Sequence, residues 1–93
     1  MANPILFNAT IATGGTQQAL DPSGVEPLSY AQTLVIKALA TNSGIVYVQA
    51  KLGAAATTGF PLAKGEQIVV LLTNTGLYVN GDTTSDKYGV AGS

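Results

Sequence analysis

Two apolar segments of this chain are broken by nearly the same four turn residues, and no stretch keeps a helical period. The first reads Leu34-Val35-Ile36-Lys37-Ala38-Leu39-Ala40, then Thr41-Asn42-Ser43-Gly44, then Ile45-Val46-Tyr47-Val48. The second reads Ile68-Val69-Val70-Leu71-Leu72, then Thr73-Asn74-Thr75-Gly76, then Leu77-Tyr78-Val79. β-Branched and aliphatic runs bounded by Asn, Ser, Thr and Gly are strand and turn signals. The expectation is a β-hairpin formed twice, within a small all-β module. Two copies are too few for a solenoid, which needs about three units, so they read as two similar hairpins.

The first hairpin permits a register argument. If Asn42-Ser43-Gly44 is a three-residue loop with Gly44 left-handed, Thr41 pairs with Ile45. One face then gathers Leu34, Ile36, Ala38, Ala40, Val46, Val48 and Ala50, all apolar. The other gathers Val35, Lys37, Leu39, Thr41, Ile45, Tyr47 and Gln49, which is mixed. A shift of one residue would scramble both faces. The apolar face is assigned to the core, and the mixed face is free for a partner.

The flanks follow the same logic. Residues 2–12 alternate, with Ile5, Phe7, Ala9 and Ile11 on one face and Leu6, Asn8 and Thr10 on the other. That pattern suits an edge strand starting after Pro4, or equally an arm docked on a neighbouring subunit. Thr13-Gly14-Gly15 is a turn, Thr16–Leu20 a short return strand, and Asp21-Pro22-Ser23-Gly24 a proline-initiated turn extended by Glu26-Pro27. Residues 50–66 cross over, with Phe60-Pro61-Leu62 expected as a plug at the end of the sandwich and Lys64-Gly65 as a turn. The five apolar residues 68–72 have no polar alternate and are expected to be covered on both faces. Residues 80–86 form a polar loop, and a last strand follows from Lys87. The whole is expected as one all-β domain over 1–93, a small antiparallel β-sandwich or jelly-roll-like barrel of six or seven short strands, in which 1–12 can serve as an extended N-terminal arm.

Composition narrows the function. The chain has no cysteine, histidine or arginine, which removes disulfides, thiolate and imidazole metal sites and the commonest general base. A cupin-like metal triad would need the missing histidines. The five carboxylates Asp21, Glu26, Glu66, Asp82 and Asp86 sit in or beside predicted turns, where acids serve the backbone. Asp82 and Asp86 lie four apart with no closing glutamate, so no calcium loop is expected. Gly14-Gly15 and Asn80-Gly81 precede no helix and are not phosphate cradles. Tyr30, Tyr47, Tyr78 and Tyr88 are candidates for a sugar-stacking platform, although Tyr47 and Tyr78 also suit the rim of a core. The expectation is a non-enzyme with no catalytic residue, no cofactor and no metal.

Charged residues make up 10% of the chain, against roughly 25% in an ordinary soluble domain, and the formal net charge is −1. Four lysines without arginine argue against tracking nucleic-acid phosphates. No apolar run approaches a membrane span, and Met1-Ala2-Asn3-Pro4 lacks the basic start of a signal peptide, so synthesis in a reducing cytosol is expected. A β module so poor in charge needs a neighbour or a closed sheet to quiet its edges. Homo-oligomerisation or burial in a larger assembly is therefore expected, with neither nucleic acid nor membrane as partner.

The succession Leu34-Val35-Ile36-Lys37-Ala38, Asn42-Ser43-Gly44-Ile45-Val46-Tyr47-Val48, Gly59-Phe60-Pro61-Leu62-Ala63-Lys64-Gly65-Glu66 and Gly76-Leu77-Tyr78-Val79 resembles a group of small β-sandwich structural proteins of tailed bacteriophages. The likeness spans about residues 33–82 and rests on the order and spacing of its pieces. Gln49-Ala50 stands where that pattern usually has glycine after Tyr-Val. The resemblance implies a virion structural protein, a capsid decoration (cement) protein on the capsid surface or a comparable head or tail part. It implies a jelly-roll-like fold, a trimer or bound array, and the major capsid protein as partner. Residues 2–12 and 21–29 are then the expected contact elements, with Ile5, Phe7, Pro22, Val25 and Pro27 as candidate contact residues. The alternative is a glycan-binding or host-attachment module.

Overall fold

A computed structural model of the chain describes residues 5–20, 32–50, 53, 55, 57–72 and 77–92. Eight strands run through them: β1 (Ile5–Thr10), β2 (Gln18–Ala19), β3 (Gln32–Ala38), β4 (Val46–Gln49), β5 (Phe60–Leu62), β6 (Gln67–Leu72), β7 (Tyr78–Gly81) and β8 (Lys87–Gly92). They build two four-stranded sheets, ordered β1-β8-β3-β6 and β2-β7-β4-β5, here called sheets A and B. Every pairing is antiparallel.

The topology is a long folded ribbon. β1 pairs with β8, β2 with β7, β3 with β6 and β4 with β5, so the tip of the ribbon lies between β4 and β5. Rolling that ribbon brings β8 against β3 and β7 against β4. Two sheets of four strands made in this way are a jelly roll. The all-β sandwich expected from sequence is therefore present, with eight strands rather than six or seven.

The twin hairpins are not hairpins. β3 lies in sheet A and β4 in sheet B, and β6 and β7 are divided in the same way. Thr41 and Ile45 make no ladder pair, because both sides of β3 are already occupied by β8 and β6. The Thr-Asn-Ser-Gly cluster instead turns the chain across one end of the core. Residues 73–76 lie outside the described residues. The assignment of faces survives this change of partner. Leu34, Ile36, Ala38, Val46 and Val48 are all buried, because inward alternation is the same whether two strands lie side by side or face each other across a core. Ala40 and Ala50, placed on that face by the hairpin register, are exposed beyond the strand ends.

The core between the sheets holds Leu34, Ile36, Ala38, Tyr88 and Val90 from sheet A, and Val46, Val48, Leu62 and Val79 from sheet B. Ile11 and Leu20 close it from the connections flanking β2, and Phe7, Ala9, Ile68 and Val70 pack against it. Tyr88 is wholly buried, and its hydroxyl donates to the Leu20 carbonyl at 2.6 Å, which ties central β8 to the chain leaving β2. Phe60-Pro61-Leu62 is a strand and not a plug. Leu62 is buried while Phe60 stays exposed, because β5 is three residues of ladder along β4.

Two corners are locked by polar groups. Asn42 acts as a strand surrogate: its Nδ2 donates to the Lys87 carbonyl at 2.7 Å, and its Oδ1 accepts from the Lys87 N–H at 2.8 Å. The carboxylate of Asp86, also buried, accepts from the N–H groups of Ser43 at 2.9 Å and Gly44 at 2.8 Å. A side chain at Gly44 would lie 2.6 Å from the Thr83 hydroxyl, so only glycine lets the two loops approach this closely. On the other side of the same loop, Ile11 donates to the Asp86 carbonyl at 2.7 Å and accepts from the Ser85 N–H at 2.9 Å, holding Ser85 at φ 75°.

Candidate interaction surface

Sheet register places residues of the four strands of sheet A in rows. Leu6 pairs with Ala91, Ala91 with Val35, and Val35 with Val69, so one row crosses the sheet as Leu6–Ala91–Val35–Val69. The next row runs Asn8–Gly89–Lys37–Gln67. Their sequence neighbours Phe7, Val90, Ile36 and Ile68 face the core, so by strand alternation both rows lie on the outer face. The first row is apolar throughout and the second polar.

Leu6 is 76% exposed and Val69 61% exposed. These two of the three large exposed apolar residues among those described stand at opposite edges of one row. Between them the outer positions of β8 are Gly89 and Ala91, whose small side chains leave a trough of about 250 Å³ lined also by Leu6, Val35, Lys37 and Gln67. Lys37 brings the trough a single charge.

The outer side of sheet B is built differently. Gln49, buried beside β7, donates through Nε2 to the carbonyls of Ala55 at 2.9 Å and Thr58 at 2.8 Å. Its Oε1 accepts from Gln17 Nε2 at 2.9 Å, and Gln17 in turn accepts from the Gly53 N–H at 2.8 Å. Two glutamines thus draw the β4–β5 connection back against its own sheet. Tyr47 and Tyr78 remain half-buried; Tyr47 is paired with Asn80 and Tyr78 with Gln49, so the tyrosines are diagonal neighbours on this outer face.

The sequence-derived contact residues fare unevenly. Phe7 is half-buried and packs against the core, while its neighbour Leu6 takes the outward phase of β1. Ile5 opens β1 opposite Gly92, and its side chain lies outside the described residues. Pro22, Val25 and Pro27, with the whole of 21–29, also lie outside them. β1 is an edge strand within its own chain, paired to β8, as one of the two sequence readings had it. The expectation that residues 68–72 are covered on both faces fails at Val69. β6 is an edge of sheet A, and its apolar run divides between the core and the exposed row.

The described carboxylates serve backbone. Asp86 holds Ser43 and Gly44, Asp82 accepts from the Ile45 N–H at 3.3 Å, and Glu66 accepts from the Ala63 N–H at 2.7 Å. Among the described residues no group of three or more metal-ligating acids or other ligands gathers, and no helix is long and apolar enough to cross a membrane. The feature that stands out is an apolar row reaching both edges of one sheet. Compared with known proteins, the chain matches no protein family, no curated protein and no solved structure.

Proposed function

We propose that this chain is a non-enzymatic structural protein of a tailed-phage virion, a capsid decoration (cement) protein that assembles with itself, as a trimer, and binds and stabilises the head lattice formed by the major capsid protein. The observation that carries the reading is the outer face of sheet A, with its apolar row and single lysine. Burying such a face against a neutral lattice desolvates few charges and so costs little. The jelly roll is also a fold that viral capsid domains use, which is an analogy of fold and not of site.

The test is to label virions purified from the cells that encode this chain with gold-conjugated antibody raised against it. Regular labelling of heads is expected. Labelling confined to tails moves the protein to another part of the particle, and virions free of label and of its peptides overturn the reading.

A second reading, a glycan-binding or host-attachment module, is favoured by the diagonally adjacent tyrosines Tyr47 and Tyr78 on sheet B, since sugar rings stack on aromatic faces and lectin domains share the fold. Binding of an oligosaccharide in a glycan screen, lost in Tyr47→Ala and Tyr78→Ala while circular dichroism is unchanged, selects this reading over the first.

A further inference from the structure

The two sheets end differently. Sheet B is bounded by β2, two residues long, and by β5, three residues long with Pro61 in it. Short strands and proline are the devices by which natural sheets refuse further strands. Sheet A is bounded by β1 and β6, each six residues long, and neither contains a charge or a proline. Glu66, the acid nearest β6, is turned onto the Ala63 N–H and does not guard the edge. Among the described residues, one sheet has blunted edges and the other has two with no further strand on them.

We propose that copies of this chain join edge to edge through sheet A, β6 of one copy pairing antiparallel with β1 of the next. This deepens the self-association in the proposed function and rests on that part of it alone; capsid binding can fail while it stands. Strand direction permits it directly. Each neighbour in the order β1-β8-β3-β6 is antiparallel, so β1 and β6 run oppositely, and a second copy in the same orientation presents β1 antiparallel to β6.

The rows then select the register. Setting Val69 opposite Leu6 of the next copy extends the apolar row, and the same register sets Gln67 opposite Asn8, extending the polar one. Ile68 meets Phe7 on the core side in that register, so both faces match at once. The most exposed apolar side chains among the described residues of the sheet cover each other, and two amide side chains come within reach of a hydrogen bond. Pairing β6 with a second β6 would instead match Val69 with itself and leave Leu6 open. Head-to-tail joining quiets both edges, and a rotation between copies that closes on itself gives the ring that the proposed trimer requires, where one that does not close gives a filament.

The absence of cysteine makes the test clean. Leu6→Cys and Val69→Cys are made as separate single variants, checked by circular dichroism, mixed in equal amounts and oxidised. Disulfide-linked pairs are expected in the mixture and in neither variant alone. Opposed residues in an antiparallel pair lie within the Cα separation a disulfide tolerates. Asn8→Cys mixed with Gln67→Cys is expected to link as well, which fixes the register. Linking of Val69→Cys to itself assigns β6–β6 pairing and overturns the proposal, and so does the absence of linking in both mixtures.

Discussion

The outer faces of the two sheets are made from similar strands and finished in opposite ways. Sheet B is closed by its own chain: Gln49 and Gln17 hold the β4–β5 connection down, and Pro61 and a two-residue β2 end the ladder. Sheet A carries no such cover among the described residues, and its apolar row ends in Leu6 and Val69. The polar side chains that structure the molecule cluster at the corners and on sheet B. The residues that hold the fold are therefore not those of the proposed association, and substitutions separate the two.

The largest effect is expected where the corners are latched. Asp86→Ala leaves the Ser43 and Gly44 N–H groups without their buried acceptor and removes two charge-assisted bonds, costing about 3 kcal/mol in urea unfolding. Gln49→Ala removes its bonds to the Ala55 and Thr58 carbonyls and the one it accepts from Gln17, costing about 2 kcal/mol. It also leaves residues 53–58 open to limited proteolysis in advance of global unfolding. Tyr88→Phe removes the hydroxyl and its bonds, the shortest of them to the Leu20 carbonyl, and keeps the ring, costing about 1 kcal/mol in the same titration. Val69→Thr, on the open face, is expected to change the stability of the monomer by less than about 0.5 kcal/mol. A larger loss there would mean that residue is part of the core, and the contrast between the faces would fall.

The faces of the strands were legible in the sequence while their partners were not. Period-2 alternation in 34–38 and 46–48 correctly marks the core, because inward phase depends on the strand alone. Whether Thr-Asn-Ser-Gly reverses the chain within a sheet or carries it across to the other depends on what occupies the edge of β3. The occupant is β8, at the far end of the sequence. Asp86 was expected to serve backbone near itself, as turn acids do; it serves backbone more than forty residues away. Alternation in 5–11 puts Phe7 and Leu6 on opposite faces but does not say which face is outward; the sheet turns Phe7 toward the core and exposes Leu6. Val69 was hidden in an uninterrupted apolar run, where no polar alternate marks an outward position. The row it shares with Leu6 exists only once four strands are in register.

The central claim is that the β1 and β6 edges of sheet A are where copies of this chain meet, and the most direct measurement is molar mass in solution. Light scattering coupled to size-exclusion chromatography is expected to give the native chain a finite multiple of 9.4 kDa. Val69→Lys, which puts a charge in the middle of the β6 edge, is expected to give a folded monomer at unchanged circular dichroism. A native chain that elutes as a monomer across the accessible concentrations, or a Val69→Lys variant that keeps the native mass, contradicts it.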